Sequence, residues 1–335
     1  MTLSWHHGLL RLLCLAALAL GIAFALASPA AARNVPGSAA VAQAEIDKAV
    51  GSSILDSLLS TKDAAMCENY LDRPEDSGRR TEPCTWGFAI GGGVRALQDA
   101  PDGYKFDYSA AYTTMIVTQR LSGNATVFGG LFGEAGAGVL EHNDGTLEHH
   151  GFGVAAGLSI DLSDSAKFAV VGSAEWLNYS TTRANGLYVG DYDAMRYMAD
   201  ARLSGTLEGD GFFVEYGGDL RFIHQRTSGY TEYSGGAPFA DVPAVQFTTL
   251  TGIGNLKLGV PMGALTPYVE ATGYLGLYDD SNLSTAGLDD GVTGRLGVGL
   301  NAEVLAGLLS LRSGAYFDGD SYKGFDAGFN FAKSF

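Results

Sequence analysis

The lengths of the connections between alternating segments constrain this chain more than any other feature. From residue 85 to residue 335 the sequence divides into twelve runs of 13 to 17 residues, in which apolar residues alternate with small or polar ones. Even-numbered connections are tiny, such as Ser122-Gly123 and Asp164-Ser165, whereas most odd-numbered ones are longer, such as 227–243. A closed transmembrane barrel has short turns at one end and long loops at the other, and a soluble sandwich has no reason to separate them.

The predicted strands and loops follow from this division. The strands are 85–97, 105–121, 124–140, 149–163, 166–182, 192–207, 211–226, 244–260, 265–279, 290–304, 306–318 and 321–335. The longer connections are 98–104, 141–148, 183–191, 227–243 and 280–289.

Strand length also favours a membrane. Globular strands average about five or six residues, whereas crossing a bilayer at a tilt takes roughly nine to eleven. The net charge of -16 excludes a generic nucleic-acid binder, because phosphate binding needs basic surfaces. The sequence therefore predicts an all-β, 12-stranded antiparallel transmembrane β-barrel in the bacterial outer membrane. We expect it to be a monomer that contacts lipid and lipopolysaccharide, with no nucleic-acid partner.

The N-terminal region is typical of an exported protein. Residues 1–32 contain Arg11, an apolar run and a small-residue stretch, which together predict a cleaved signal peptide. A membrane anchor is the alternative. Cys67 and Cys84 remain after cleavage, and an isolated pair in an exported chain predicts a disulfide.

The two faces of the predicted strands carry different residues. In strand 211–226, Val214 and Leu220 share one face, and Asp219 and Arg221 share the other. We predict that the apolar face contacts lipid and that the charged face lines the lumen. Because the two signs nearly balance, we expect ion pairs across the lumen; a selective pore is the alternative. The predicted lumen charges are Arg95, Glu134, Glu175, Arg196, Asp200, Arg202, Glu215, Asp219, Arg221, Lys257, Glu270, Arg295 and Arg312.

The sequence from Leu265 onward most closely resembles a known family. It contains TPYVEATGYLGLYDD, GRLGVGLNAEV and LLSLRSGAYFDGDSYKGFDAGFNFAKSF. These segments resemble the C-terminal translocator domain of classical autotransporters, a twelve-stranded barrel. The resemblance implies that the barrel-assembly machinery reads the terminal aromatic residues, here Phe329, Phe331 and Phe335. It also implies a helix through the lumen before the first strand.

Residues 41–63 are the candidate for that helix. Ile46, Val50 and Leu58 recur at helical spacing, and a periplasmic amphipathic helix is the alternative. The predicted organisation is a signal peptide (1–32), a segment with the helix and the Cys67–Cys84 loop (33–84), and the barrel (85–335). The segment is much shorter than a typical passenger, which predicts a stand-alone member of the family with almost no passenger. We predict a structural, translocator or surface-display role; the alternatives are a porin-like channel and an adhesin that acts through its loops.

Enzymatic sites have little support in the sequence. Phospholipase-like chemistry at His224 lacks a neighbouring serine, and protease-like chemistry needs a different strand layout. We therefore expect no enzymatic activity, no cofactor and no catalytic or metal residues. The weaker alternatives are a protease-like group from His149, His150, Asp191 and Asp193, a transition-metal site from His142, His149 and His150, and calcium at Asp279-Asp280 or Asp289-Asp290.

Overall fold

The computed structural model describes residues 39–65, 85–98, 105–122, 124–163, 165–281, 293–304, 307–318 and 321–334. They form one helix and a sheet. The elements are α1 (Ala39–Ala65), β1 (Trp86–Gln98), β2 (Phe106–Ser122), β3 (Ala125–Leu140), β4 (Gly145–Ser163), β5 (Ala166–Arg183), β6 (Tyr188–Gly209), β7 (Phe212–Thr227), β8 (Tyr230–Ser234), β9 (Ala237–Val242), β10 (Gln246–Gly259), β11 (Leu265–Ser281), β12 (Thr293–Val304), β13 (Gly307–Asp318) and β14 (Ser321–Ser334).

Twelve of the strands close into a barrel. Each pairs antiparallel with its neighbours, and the first strand meets the last from Gly87↔Ser334 to Leu97↔Gly324. Strands β8 and β9 form a separate hairpin that pairs with the start of β6. The predicted 12-stranded antiparallel barrel is therefore confirmed. Closure leaves no barrel edge whose backbone groups would be unpaired in hydrocarbon.

The two ends of the barrel differ as the connection lengths predict. At one end, which we call the turn end, adjacent strands are joined by tight turns; in one of them Gly211 adopts a φ of 80°. At the other, the loop end, the β8–β9 hairpin extends the wall. The predictions that 141–148 and 183–191 are loops were wrong in extent, because β4 begins at Gly145 and β6 at Tyr188. These polar strand ends lack the alternation that lipid contact imposes.

The outer wall is apolar, as expected for a surface in contact with lipid. Large side chains on this face are strongly exposed, such as Leu131 at 61% and Phe152 at 62%, while charged residues of the opposite parity are buried. Phe325 and Phe329 lie on this outer face. Within the described part of the chain, no helix is long and apolar enough to cross a membrane.

Helix α1 occupies the interior of the barrel. Its residues Ile46, Val50, Ile54 and Leu58 are all 0% exposed, and it packs chiefly against β1, β2 and β14. It begins and ends two residues outside the predicted range of 41–63. The hydrophobic core of this molecule is therefore the contact between α1 and the inner wall.

Candidate functional site

Helix α1 runs through the lumen in a defined direction. At the turn end, Thr118 Oγ1 donates to the carbonyl of Ala65, the last residue of α1, at 3.3 Å. Towards the loop end, Tyr192 OH donates to Oε1 of Gln43 at 2.8 Å. With 27 residues and a rise of about 1.5 Å each, α1 is about 40 Å long, enough to pass through the membrane-spanning wall. Its N-terminus therefore lies at the loop end.

One face of α1 lies unusually close to the wall. Ser57 Oγ is 3.0 Å from Thr114 Oγ1 on β2, and Thr61 Oγ1 donates to Asn330 Oδ1 on β14 at 2.8 Å. This approach requires glycine on β1, because a Cβ at Gly91 would collide with Thr61 and Asn330, and one at Gly87 with the carbonyl of Ala65. The helix therefore packs closely against β1 at these two glycines, and we call Gly87 and Gly91 the seat of the helix.

A valine at Gly91 tests this seat. We expect Gly91→Val to displace α1 and to destabilise the protein by about 1–3 kcal/mol, the usual cost of overpacking. The readout is disulfide formation between cysteines placed at Ser57 and Thr114, with native cysteines replaced by serine. Gly254→Val is the matched control, because a Cβ at Gly254 would meet no heavy atom of the described residues within 4 Å. Equal disulfide yields in the two variants would contradict the seat.

Asp47 anchors the N-terminal half of α1. Its carboxylate accepts hydrogen bonds from Tyr179 OH at 2.7 Å and from Gln225 Nε2 at 2.5 Å. Arg196 Nη1 donates to the backbone carbonyl of Asp47 at 3.0 Å. None of these four side chains is more than 3% exposed. Charged hydrogen bonds in such a dry setting are strong, so α1 is held at this level by β5, β6 and β7.

Two buried arginines of the wall, Arg196 and Arg221, bind the helix. Arg196 pairs with Glu175 at 2.5 Å and with Glu134 at 2.7 Å, and all three side chains are 0% exposed. Arg221 pairs with Asp200 at 2.8 Å and with Asp56 of α1 at 2.7 Å. It also donates to the carbonyl of Ser52 at 3.2 Å. The wall thus contacts the helix through its backbone as well as its side chains.

A cavity of about 370 Å³ runs beside the C-terminal half of α1. Asp56, Ser60 and Asp63 line it on the helix side, and residues of β5 to β7 and β10 to β14 line the wall. Both signs of charge are present and paired: Arg202 with Asp219 at 2.6 Å, Lys257 with Glu215 at 2.8 Å, and Arg295 with Asp326 at 2.9 Å. We call this cavity the vestibule.

A family model described as an autotransporter beta-domain matches residues 85–314. The chain belongs to the autotransporter β-domain family. As a member of that family it is a bacterial outer-membrane protein, so the turn end faces the periplasm and the loop end faces outward. No curated protein matches the sequence.

Solved structures share the fold of this autotransporter β-domain. One is the translocator domain of autotransporter NalP from Neisseria meningitidis, at 14% identity and a TM-score of 0.67, with 86% of this chain and 98% of that one covered. The beta domain of the Bordetella autotransporter BrkA has 15% identity and a TM-score of 0.57, covering 75% and 100%. An outer membrane channel from Pseudomonas putida F1 has 12% identity and a TM-score of 0.50, covering 78% and 99%.

All thirteen charges predicted for the lumen of this autotransporter β-domain lie on the inner wall. Arg196, Arg202 and Arg221 contact α1, whereas Glu215 pairs with Lys257 and not with the helix. The guanidinium of Arg95 stacks on Tyr316, 3.1 Å from the ring centroid. Sequence reasoning missed Gln43, Tyr179, Tyr192 and Gln225. The strand residues among them share the parity of the lumen charges, so an inventory of uncharged polar groups on that face could have found them.

The alternative histidine sites do not form. His149 and His150 are neighbours on β4, so their side chains lie on opposite faces: His149 is inside, 2.9 Å from Glu134, and His150 is exposed outside. Asp191 and Asp193 are exposed on the outer face of β6. The group from His149, His150, Asp191 and Asp193 is therefore wrong, as is a metal site joining His149 to His150. No cluster of three metal-ligating groups occurs among the described residues, which exclude the side chain of His142.

Asp279, named with Asp280 as a weak calcium alternative, has a partner on the helix. It lies in β11 and pairs with Lys48 of α1 at 2.5 Å. The remaining predictions for Cys67, Cys84, Asp289, Asp290 and Phe335 fall outside the described residues.

Proposed function

We propose that this autotransporter β-domain is a non-enzymatic surface-display barrel, whose own helix closes the lumen and presents the segment before Ala39 at the cell surface. The observation that carries the proposal is the direction of α1, from Gln43 near the loop end to Ala65 at the turn end. A chain that enters β1 from the periplasmic side and also runs through the lumen must emerge outside. The barrel then acts as a membrane anchor for that segment.

The proposal includes the way in which the protein reaches its site. Residues 1–32 would be removed as a signal peptide, and Cys67 and Cys84 would join in the oxidising periplasm. Phe329, Phe331 and Phe335 would act as the signal read by the barrel-assembly machinery. The assembled protein would be a monomer in contact with lipid and lipopolysaccharide.

A porin-like channel is the second candidate, and the vestibule favours it. A cavity lined by charges of both signs can hold water and small polar solutes beside the helix. The dry contacts around Asp47 oppose a continuous path, because a conducting channel needs water along its whole length. We therefore place surface display ahead of conduction.

Epitope tags on intact cells test the display proposal. We expect a tag inserted after Gly37 to bind antibody, as does a control tag after Gly235 in the β8–β9 hairpin. A tag after Asp164, at the turn end, should bind only after the outer membrane is permeabilised. Display fails if the Gly37 tag behaves like the Asp164 tag while the Gly235 tag is exposed. If only the tag after Asp164 binds antibody on intact cells, the turn end faces outward and the assigned topology is wrong.

A further inference from the structure

The two halves of the lumen differ in their exposure to solvent. Around Arg196, the side chains of Glu134 and Glu175 are 0% exposed. Beside the C-terminal half of α1, Asp56 is 25% exposed and Glu215 is 42% exposed, although both lie inside the barrel. Since lipid contact cannot explain exposure on the inner wall, the vestibule is space for water. The helix therefore does not fill the lumen evenly.

Five neighbouring rings line part of the inner wall at the loop end; three of the four adjacent pairs are stacked, and the pair His149–Tyr179 is tilted. Centroid distances are 5.8 Å from Tyr108 to His149, 5.6 Å from His149 to Tyr179, 5.1 Å from Tyr179 to Tyr192 and 4.5 Å from Tyr192 to Tyr230. The rings come from β2, β4, β5, β6 and β8, and we call them the ring layer. It crosses β3 at Gly136, where a Cβ would lie 2.6 Å from Tyr108 OH.

The ring layer is bonded directly to the N-terminal half of α1. Tyr192 donates to Gln43, and Tyr179 donates to Asp47. Tyr108, Tyr179 and Tyr192 are each buried. Aromatic rings that pack on one another and bond to the helix exclude water between α1 and this part of the wall, from β2 to β8. At this level α1 and the wall from β2 to β8 are therefore in dry contact.

The β8–β9 hairpin completes the ring layer. Tyr230 is the first residue of β8, and the hairpin is tied to the wall by Arg183 of β5, whose guanidinium donates to both carboxylate oxygens of Glu232 at 2.6 to 3.1 Å. This bidentate pair is buried. Arg183 also lies over the ring of Tyr188, 3.9 Å from its centroid. The hairpin is therefore fixed as part of the closure.

We propose that the permeability seal of this protein is the ring layer together with Gln43 and Asp47, and that the vestibule below it is a solvent-filled site that small polar or charged molecules enter from the periplasm. The balanced charges of the vestibule fit hydrated ions and small zwitterions better than solutes of one sign. Permeability and surface display are separate properties of the barrel, so either one can be lost without the other.

Side-specific labelling tests the vestibule and the seal together. The full chain, with native cysteines replaced by serine and Ser310→Cys on the vestibule wall, is placed in liposomes, and a small charged methanethiosulfonate is added outside. Protease cleavage at a site inserted after Gly235 gives the fraction of barrels in each orientation. We expect labelling of only those barrels whose turn end faces outward. Labelling of both orientations would overturn the seal, and labelling of neither would overturn the open vestibule.

Variants of the ring layer sharpen the result. Tyr192→Ala combined with Tyr230→Ala should extend labelling to both orientations, because the ring layer loses two adjacent rings. Arg202→Ala is the matched control: it removes a large side chain from the vestibule and leaves the ring layer intact, so labelling should still follow orientation. If the ring variant behaves like this control, the seal lies elsewhere.

Conductance measured with α1 held in place shows whether a ring variant leaks through the ring layer or because the helix has left the lumen. Cysteines at Ser57 and Thr114 are oxidised to hold α1 against β2. In this locked form, the ring variant should conduct severalfold more than the locked parent, while locked Arg202→Ala should match the parent within about twofold. Equal conductance of the locked ring variant and the locked parent would overturn the proposal. Failure of the Gly37 tag to reach the surface would leave these outcomes unchanged.

Discussion

Deletion of residues 39–65 will raise the single-channel conductance of the purified barrel severalfold. A helix with its side chains is about 10 Å across, so its loss opens most of a twelve-stranded lumen. The side chains of α1 that face the wall are fully buried, which means that they exclude water now. Conductance in planar bilayers measures the effect directly.

The matched control for the deletion is a barrel that keeps α1 but loses one contact at the turn end. Thr118→Val removes the hydrogen bond to Ala65 without changing side-chain volume much, and its conductance should stay close to that of the parent. A deletion that conducts no more than Thr118→Val would mean that α1 does not block the lumen. The deleted barrel must first be shown to be heat-modifiable on gels, which establishes that it has assembled.

Replacement of Arg196 by methionine will cause the largest loss of stability of any single change in the lumen. Arg196 is the shared partner of Glu134 and Glu175, and it also binds the carbonyl of Asp47. Its loss leaves two carboxylates buried without their arginine. Breaking one side of a buried ion pair costs about 3–5 kcal/mol. Unfolding in urea, followed by heat-modifiability, measures the change.

Arg202→Met is the comparison for Arg196→Met. Arg202 is 16% exposed and lies next to the vestibule, where water can solvate Asp219 and Asp56 after the substitution. We expect a smaller loss, of about 1–2 kcal/mol. A combined Arg196→Met, Glu134→Gln and Glu175→Gln variant should recover part of the stability, because no carboxylate of that group then stays buried and unpaired. If the two arginine variants lose the same stability, the exclusion of water around Arg196 does not account for the strength of its ion pairs.

The fold could be predicted from sequence because lipid imposes a strict pattern. Alternation over long runs and the unequal connections located the twelve barrel strands, and most ends agree within two residues. The pattern failed at Gly145 and Tyr188, where β4 and β6 begin earlier than predicted. Beyond the membrane both faces of a strand meet polar surroundings, so alternation disappears. The hairpin of β8 and β9 was missed for the same reason.

The sequence predicted which side chains face the lumen, but it did not predict which partners they bind there. Parity placed Arg196 and Arg221 inside, yet their partners depend on strand register and on the height and rotation of α1. Asp47, for example, binds Tyr179 and Gln225, which lie far from it in the sequence. The near-balance of positive and negative charges on the lumen face was predictable from the sequence. The separation of the lumen into a dry band and a solvated vestibule was not, because it follows from where the rings stack.

Helix α1 also bears on the order in which the protein folds. It contacts Thr114 of β2 and Asn330 of β14, so it bridges the seam at which the first and last strands of the barrel meet. Bringing those strands together closes a loop that contains the whole barrel, which has an entropic cost. Because α1 precedes β1 in the chain and carries a binding surface for β14, it can act as a template for the final strand pairing. We therefore expect folding to finish where β1 meets β14, beside the helix.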